Sequence, residues 1–397
     1  RSIAVTGVQT CALPIFFIIS GFLISSIIIK NLESANFSLI DFYCKRIIRI
    51  FPALLTVLIA VYATGWHTLY AKEFEQVGKH IAAGAGFVQN FALLSESGYF
   101  DTATESKPLM HLWSLAIEEQ FYLIYPLLLA LSWQMGRRFL LIIAGTLLLS
   151  FVSNIYFTHT QPSQAFYYPH TRFWELLLGA LLCLLLGKAQ AIPAYIKQAI
   201  SVLGIFLIIA GYSFIDSDKA FPGWWALAPT VGASLIIFAG PNTWMNQRVL
   251  SHGVMQFIGR ISYPLYLWHW PLLVFPAILY GGQLSAASRI LMIVVCFGLS
   301  WATYAWIERP IRFSLTDRLR GKSLMLLTGV ILIGFVGYNT YHRAGLSFRN
   351  INKINIIPQT AFLRGSQHLT APECAIAAEQ RHLFGFCHQD KIKKIRY

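Results

Sequence analysis

Two adjacent carboxylic acids, Glu118 and Glu119, lie within the apolar stretch Lys107–Leu129, K-P-L-M-H-L-W-S-L-A-I-E-E-Q-F-Y-L-I-Y-P-L-L-L. As a helix, this stretch is long enough to cross a bilayer. Ionisable groups at membrane depth are costly, and they usually face a cavity or a charged partner. The acids therefore indicate a functional site. Alternatively, the acids have only a structural role, and neighbouring helices satisfy their hydrogen-bonding groups.

Helical periodicity groups further polar side chains with the first acid. Five of them fall within one stripe of the helix: His111, Ser114, Glu118, Tyr122 and Tyr125. A rise of about 1.5 Å per residue places His111 and Glu118 about 10 Å apart along the axis, so only a substrate or a water chain could join them. Histidine and carboxylate side chains carry out general acid–base chemistry. We therefore take His111, Glu118 and Glu119 as candidate catalytic residues.

The composition assigns the class of protein. Hydrophobic residues make up 56% of the 397-residue chain and charged residues only 12%, whereas a soluble globular protein carries about 25% charged residues. This predicts a polytopic membrane protein that contacts lipid. The net charge of +14 does not indicate a nucleic-acid partner, because the basic residues lie in short loops between apolar segments and in the tail.

Ten apolar segments predict an all-α bundle of about ten transmembrane helices. They lie near 16–29, 53–66, 111–133, 139–157, 171–187, 199–214, 225–240, 262–280, 288–307 and 323–338. The apolar piece Ile81–Leu94 is too short to span, so we expect it to be re-entrant or interfacial. Loops rich and poor in Lys and Arg alternate, which favours a cytoplasmic loop around residues 45–49 and an extracytoplasmic tail after Tyr338.

Three cations precede the second predicted span. Lys45, Arg46 and Arg49 are spaced by three and four residues, which places them on one face of a helix. We expect Pro52 to open the span Ala53–Trp66 after them. They are typical of a positive-inside anchor with snorkelling side chains. They are equally compatible with a cationic shelf that binds a phosphorylated ligand.

Other polar residues lie at the ends of, or within, later apolar segments. Arg172 and Glu175 are three residues apart and could form an ion pair, for which a structural role is favoured. His269 lies among aromatic residues, where a packed, hydrogen-bonded histidine is commoner than a catalytic one. The sequence Trp306–Pro310 is interpreted as a structural cap that ends a span.

The six cysteines show no metal-binding spacing, and no metal is expected. Cys44, Cys183 and Cys296 lie in or beside apolar segments and are interpreted as packing residues. Cys374 and Cys387 lie in the polar tail and could form a disulfide if that tail is extracytoplasmic.

The first residues have no signal-peptide organisation. The string V-T-G-V-Q-T-C-A-L-P-I, Val5–Ile15, equals the translation of a commonly used sequencing adapter. We therefore expect Arg1–Ile15 to be an artefact and the natural chain to resume at Phe16, inside a helix. The segment Phe16–Ile29 is short for a span. Its Ser20-Gly21 pair indicates close contact with another helix.

Six motifs occur in a fixed order along the chain. They are F-F-I-I-S-G-F-L, F-Y-C-K-R-I-I-R-I-F-P-A-L, H-L-W-S-L-A-I-E-E-Q-F-Y-L-I-Y-P, T-R-F-W-E-L-L-L-G-A-L, I-S-Y-P-L-Y-L-W-H-W-P and I-E-R-P-I-R. Over Phe16–Tyr338 this set resembles the acyltransferase 3 family of bacterial inner-membrane O-acyltransferases. The resemblance implies transfer of an acyl group, usually acetyl from acetyl-CoA, to a hydroxyl of a surface glycan such as lipopolysaccharide O-antigen. Acetyl-CoA would be a donor substrate, and no bound cofactor is expected.

The resemblance also implies roles and boundaries. Arg46 and Arg49 match the family's cytoplasmic shelf, and Glu118 with Glu119 match its acidic core. A first helix carrying an Arg and a catalytic His should precede Phe16. Residues 16–340 would form the membrane domain, and residues 341–397 an extracytoplasmic linker leading to a truncated SGNH domain. Rival interpretations are a transporter or flippase of a lipid-linked donor and a non-catalytic scaffold.

Overall fold

The computed structural model describes residues 3–97, 106–135, 137–186, 192–215, 219–280, 284–313, 319–349 and 351. Within these ranges the regular structure is helical and contains no strand, which confirms the predicted all-α class. The helices are α1 (Ile3–Glu33), α2 (Leu39–Thr68), α3 (Ala71–Ala85), α4 (Gln89–Glu96), α5 (Leu112–Ser132), α6 (Arg137–Thr160), α7 (Pro162–Tyr167), α8 (Phe173–Leu185), α9 (Ala194–Phe214), α10 (Leu227–Ala239), α11 (Gly253–Leu279), α12 (Ala286–Ala302), α13 (Arg309–Phe313) and α14 (Leu319–His342).

Each predicted span lies on a helix. Within the described residues, seven helical stretches are long and apolar enough to cross a membrane: Ala12–Glu33, Leu39–Thr68, Leu112–Ser132, Arg138–Thr160, Ala194–Phe214, Ala286–Phe313 and Leu319–His342. Two shorter apolar helices, Phe173–Leu185 and Gly223–Ala239, and the 27-residue α11 occupy the other three predicted positions. The chain is a multi-pass membrane protein.

Two predicted boundaries are wrong. Pro52 does not open a new helix, because α2 runs without interruption from Leu39 to Thr68. Membrane helices tolerate an internal proline, although Pro52 has no N–H to donate to the carbonyl of Ile48 four residues before it. The first span is not short either, since its apolar stretch extends over the 22 residues Ala12–Glu33.

The piece predicted to be re-entrant or interfacial is divided between two helices. Helix α3 ends at Ala85, Phe87 adopts a positive φ of 53°, and α4 begins at Gln89. Neither helix is among the seven membrane-crossing candidates. Where these helices lie relative to the bilayer stays a prediction.

Helices α1 and α8 pack with their backbones in direct contact. A Cβ atom added to Gly21 would lie 1.9 Å from the Leu176 carbonyl oxygen, and one added to Gly179 would lie 2.2 Å from that of Ile18. Small residues permit this approach in membrane bundles. The close helix contact predicted at Ser20-Gly21 is therefore present, and it brings α1 directly against α8.

Helices α2 and α14 run parallel and define two ends of the bundle. Ser323 Oγ donates to Cys44 Sγ at 3.2 Å near the starts of both helices. The hydroxyls of Tyr62 and Thr340 are 3.2 Å apart near their ends. The end that contains the start of α2 is called the cationic end below, and the end that contains α3 is called the opposite end.

Candidate active site

A cavity of about 560 Å³ opens at the cationic end, between α1, α2, α13 and α14. Its described lining contains one acid, Asp41, and five cations: Lys45, Arg46, Arg49, Arg312 and Lys322. The three cations predicted to share a helix face thus line one cavity. This excess of positive charge suits a ligand with several phosphate groups, which arginine binds through two parallel hydrogen bonds.

Arg46 connects the cavity to the interior of the bundle. Its guanidinium carbon lies 4.7 Å from the centre of the Tyr122 ring, which is within the range of a cation–π contact. The Tyr122 hydroxyl donates in turn to Glu118 Oε1. Arg49 also interacts electrostatically with Glu118. The cationic face of α2 and the acid of α5, which are far apart in sequence, therefore form one site.

Glu118 is the centre of a buried hydrogen-bonded cluster. Only 6% of its surface is exposed. The same carboxylate oxygen accepts hydrogen bonds from Ser20 on α1 and from Tyr122, and these two hydroxyls also contact each other. One turn farther along α5, Tyr125 and Ser25 repeat the pairing with 2.8 Å between their hydroxyls. The part of the stripe from Glu118 to Tyr125 thus faces α1.

Glu119 points in a different direction from its neighbour. Its Oε1 atom is buried and has no hydrogen-bond partner among the described residues. It interacts electrostatically with Tyr263 of α11, whose hydroxyl donates to the Ile50 carbonyl at 3.0 Å. Glu119 also interacts electrostatically with Glu118 and Arg46, so the two acids share one charged site. Of the two, Glu118 is the acid hydrogen-bonded within the stripe.

A pair of histidines lies towards the opposite end. His111 precedes α5, is 3% exposed, and its imidazole interacts with the Leu267 backbone of α11. The rings of His111 and His269 are 5.4 Å apart, centre to centre. Tyr266 packs 5.2 Å from the His111 ring and donates its hydroxyl to the His111 carbonyl. Its hydroxyl also lies 2.9 Å from Ser114 Oγ.

These groups form a continuous series through the bundle, here called the polar column. Its members are Arg46, Tyr122, Glu118, Ser20, Ser114, Tyr266, His111 and His269. Ser114 and Glu118 are one helical turn apart on α5, which joins the acid cluster to the histidine pair. The column links the cavity to His111 through a row of polar side chains.

Arg172 and Glu175 form a fully buried ion pair of 2.8 Å. Both side chains are 0% exposed. The guanidinium packs against the rings of Trp113 and Phe166 and donates to the Phe166 carbonyl at 3.4 Å. These contacts involve no member of the polar column. The geometry agrees with the structural role that the sequence favoured.

Several residues of the site were interpreted differently from sequence. Ser20 was seen only as a small residue at a helix contact. In the sequence, Arg312 and Lys322 belong to the basic loop between the predicted spans 288–307 and 323–338, and Glu308 lies in the sequence interpreted as a cap. In the structure Glu308 is buried and interacts electrostatically with Arg49 and Arg312. The I-E-R-P-I-R motif was the available signal for Glu308 and Arg312.

The cysteines form no described disulfide. Cys44, Cys183 and Cys296 are free thiols within the described residues. The candidate pair Cys374 and Cys387 lies outside the described residues. Among the described residues, no group of three or more His, Cys, Asp or Glu side chains could hold a metal ion.

Comparison with known sequences decides the family. A family model described as an acyltransferase domain, acyltransferase 3, matches residues 2–305, most of the chain. The chain belongs to the acyltransferase 3 family. This confirms the resemblance carried by the six motifs. The polar column is therefore the candidate active site of a membrane acyltransferase.

Named relatives support the same conclusion. The chain is 30% identical over 317 residues to the peptidoglycan O-acetyltransferase OatA of Listeria monocytogenes, covering 75% of this chain and 50% of that protein. It is 30% identical over 314 residues to the O-acetyltransferase OatA of Staphylococcus aureus, covering 75% and 51%. An uncharacterized Haemophilus influenzae protein is 34% identical over 237 residues, covering 57% and 96%. The acyltransferase spans about half the length of the two named enzymes, and no solved structure matches it.

Proposed function

We propose that this membrane acyltransferase takes an acetyl group from acetyl-CoA bound in the cationic cavity and transfers it to a hydroxyl of a cell-surface polysaccharide. The observation that carries the proposal is the contact of Arg46 with Tyr122, through which five cavity cations adjoin the buried Glu118 cluster. Polysaccharide acetylation at the cell surface would require the acetyl group to pass along the polar column.

The cavity fits the donor by charge and by size. Coenzyme A carries several phosphate oxygens, and arginine and lysine side chains bind such oxygens through charge-assisted hydrogen bonds. A volume of about 560 Å³ lies within the range of small-molecule sites. With the nucleotide held there, the thioester arm would extend along the column past Arg46 towards Glu118.

The transfer step requires a base. The acceptor hydroxyl attacks the thioester carbonyl, a C–O bond forms, the C–S bond breaks, and the hydroxyl proton must leave. Among the described residues, we assign this proton to His111, whose imidazole is buried beside that of His269. Glu118 already accepts from Ser20 and Tyr122 and lies two turns away, so we assign it to holding the donor arm.

The relatives and the resemblance support two acceptors. The name of the Listeria relative specifies peptidoglycan, and the family resemblance includes lipopolysaccharide O-antigen. The positive-inside rule supports a cytoplasmic position for the cationic end, in a bacterial inner membrane, with the tail outside. In that orientation acetyl-CoA reaches the cavity from the cytoplasm, and the glycan reaches the histidine pair from the other side.

Reconstitution tests the proposal. The full protein in lipid nanodiscs would receive radiolabelled acetyl-CoA together with O-antigen or peptidoglycan fragments, and ester-linked acetate on the sugar would be measured by mass spectrometry. We expect coenzyme A release and sugar acetylation, both lost in His111→Ala and retained in His159→Ala, which changes an exposed histidine. Movement of a lipid-linked sugar without thioester consumption would contradict the proposal and favour a flippase.

A further inference from the structure

Lys107 is fixed from two sides immediately before the candidate base. Its ammonium group donates to Glu96 Oε2 of α4 at 2.8 Å. Its carbonyl accepts from Trp270 Nε1 of α11 at 2.9 Å. Lys107 and Trp270 are both buried, at 5% and 4% exposure. One residue thus joins α4 to α11 at the opposite end of the bundle.

The two histidines lie next to these contacts along the chain. His111 follows Lys107 by four residues, through a tight turn in which the Lys107 carbonyl also accepts from the Met110 amide at 3.1 Å. His269 directly precedes Trp270. A shift of the Lys107 backbone relative to Trp270 would therefore change the separation of the two imidazole rings, which is 5.4 Å.

Glu96 holds the ammonium end of this connection in a partly buried ionic network. Lys79 Nζ lies 2.6 Å from Glu96 Oε1, and His80 Nε2 lies 3.4 Å from Oε2. Gln89 Nε2 fixes the other nitrogen of His80 at 2.8 Å. Removing one partner from a buried ionic network leaves charges uncompensated, so the remaining groups rearrange. The carboxylate of Glu96 is the acceptor that both lysines share.

We propose that Glu96, Lys107 and Trp270 form a clamp, the Lys107 clamp, which sets the geometry of the His111–His269 pair. The three act as positioning residues for proton transfer. This inference rests on the proposed function, in which His111 accepts the proton of the acceptor hydroxyl. A clamp that only stabilised the fold would lower the melting temperature without changing turnover below it.

Kinetics separate these two roles. Glu96→Gln keeps the size of the side chain but removes its charge, and Trp270→Phe removes the indole N–H donor. We expect kcat to fall about 10- to 100-fold in each, as for misplaced catalytic groups, with the KM for acetyl-CoA unchanged within about twofold. Glu75→Gln on α3 and Trp244→Phe, which changes an exposed indole, are the matched controls.

Two further variants sharpen the result. Both variants keep the backbone carbonyl, but only Lys107→Arg keeps a cation. Lys107→Arg should therefore retain more turnover than Lys107→Met. The kcat of the double variant Glu96→Gln/Trp270→Phe should be little lower than that of the worse single variant, because Glu96 and Trp270 both act through Lys107. Unchanged kcat in both single variants, measured well below their melting temperatures, would overturn the clamp.

A labelling experiment tests the geometry without acetyl transfer. His111→Cys would be made with the native cysteines replaced by serine. We expect slow reaction with a water-soluble thiol reagent, since position 111 is 3% exposed, and reaction about tenfold faster when Glu96→Gln opens the site locally. Equal rates would overturn the clamp even if the enzyme acetylates sugar. If the wild type consumes no acetyl-CoA, the proposed function fails while labelling still decides the clamp.

Discussion

The guanidinium of Arg46 stacks on the ring of Tyr122, with 4.7 Å between the guanidinium carbon and the ring centre. Arg46 also lines the cationic cavity, and Tyr122 donates to Glu118. This contact is the place where the cavity and the interior of the bundle meet. A donor that enters the column must pass it, so both residues should influence the passage of the acyl group.

Arg46→Lys tests that contact while keeping the positive charge. Lysine lacks the planar guanidinium that stacks on a ring and binds phosphate through two hydrogen bonds. We expect kcat/KM for acetyl-CoA to fall about tenfold, which corresponds to about 1.4 kcal/mol. Arg138→Lys, at an exposed position on α6, is the control and should behave as wild type. Equal kinetics of the Arg46 variant would remove the contact from the donor path.

The adjacent acids allow a matched comparison. Glu118→Gln removes the charge from the cluster of Ser20 and Tyr122, and we expect acetylation to fall at least about 100-fold. Glu119→Gln should reduce acetylation less, because the hydrogen bonds from Ser20 and Tyr122 go to Glu118. Gel filtration of the detergent-extracted variants checks that both insert and fold. Normal acetylation by the Glu118 variant would exclude that carboxylate from the mechanism.

The sequence predicts the arrangement within a helix better than the arrangement between helices. The stripe from His111 to Tyr125 follows from the helical period alone, and the structure buries each of its members. The same period placed Lys45, Arg46 and Arg49 together, and all three line the cavity. Both are local consequences of about 3.6 residues per turn.

What the sequence left open depends on packing. Ser20 reaches Glu118 because α1 packs against α5 as well as α8, and no local pattern specifies that partner. His269 is hydrogen-bonded to the Tyr266 carbonyl, as predicted for a packed histidine, but only the fold places it beside His111. Arg312 lies in the I-E-R-P-I-R motif, which does not specify its neighbours in space. Its place in the cavity depends on how α13 lies against α2.

The contact of α1 with α8 should be intolerant of a single methyl group. In Gly21→Ala the new Cβ would meet the Leu176 carbonyl at 1.9 Å, so the two backbones must separate. This should lower the free energy of unfolding by about 1–3 kcal/mol. A lower melting temperature in nanodiscs is the expected result. Gly145→Ala on α6 is the control, since nothing lies within 4 Å of its added Cβ. Equal melting temperatures would contradict the close packing.

Acid should weaken the ionic network around Glu96. Burial alone would raise the pKa of this carboxyl, but hydrogen bonds and charges from His80, Lys107 and Lys79 outweigh burial and hold the pKa well below its usual value of 4.5. A group with a lowered folded-state pKa contributes stability above its unfolded pKa, and loses that contribution as pH falls towards the folded pKa.

Melting curves of wild type and Glu96→Gln across pH check this expectation. At neutral pH the wild type should melt at the higher temperature. The difference should narrow as pH falls below about 4.5, the usual pKa of the carboxyl. A difference that stays constant from neutral pH to pH values well below that pKa would show that the charge of Glu96 does not stabilise the fold.

The central claim is that the cationic cavity binds the acyl donor, and the affinity for acetyl-CoA tests it most directly. Helix α13 offers two arginines for comparison: Arg312 lines the cavity and Arg309 does not. Isothermal titration of the nanodisc-embedded protein should give a Kd about tenfold higher for Arg312→Ala than for wild type, and an unchanged Kd for Arg309→Ala. Equal affinities for all three proteins, or no binding by the wild type, would contradict the account.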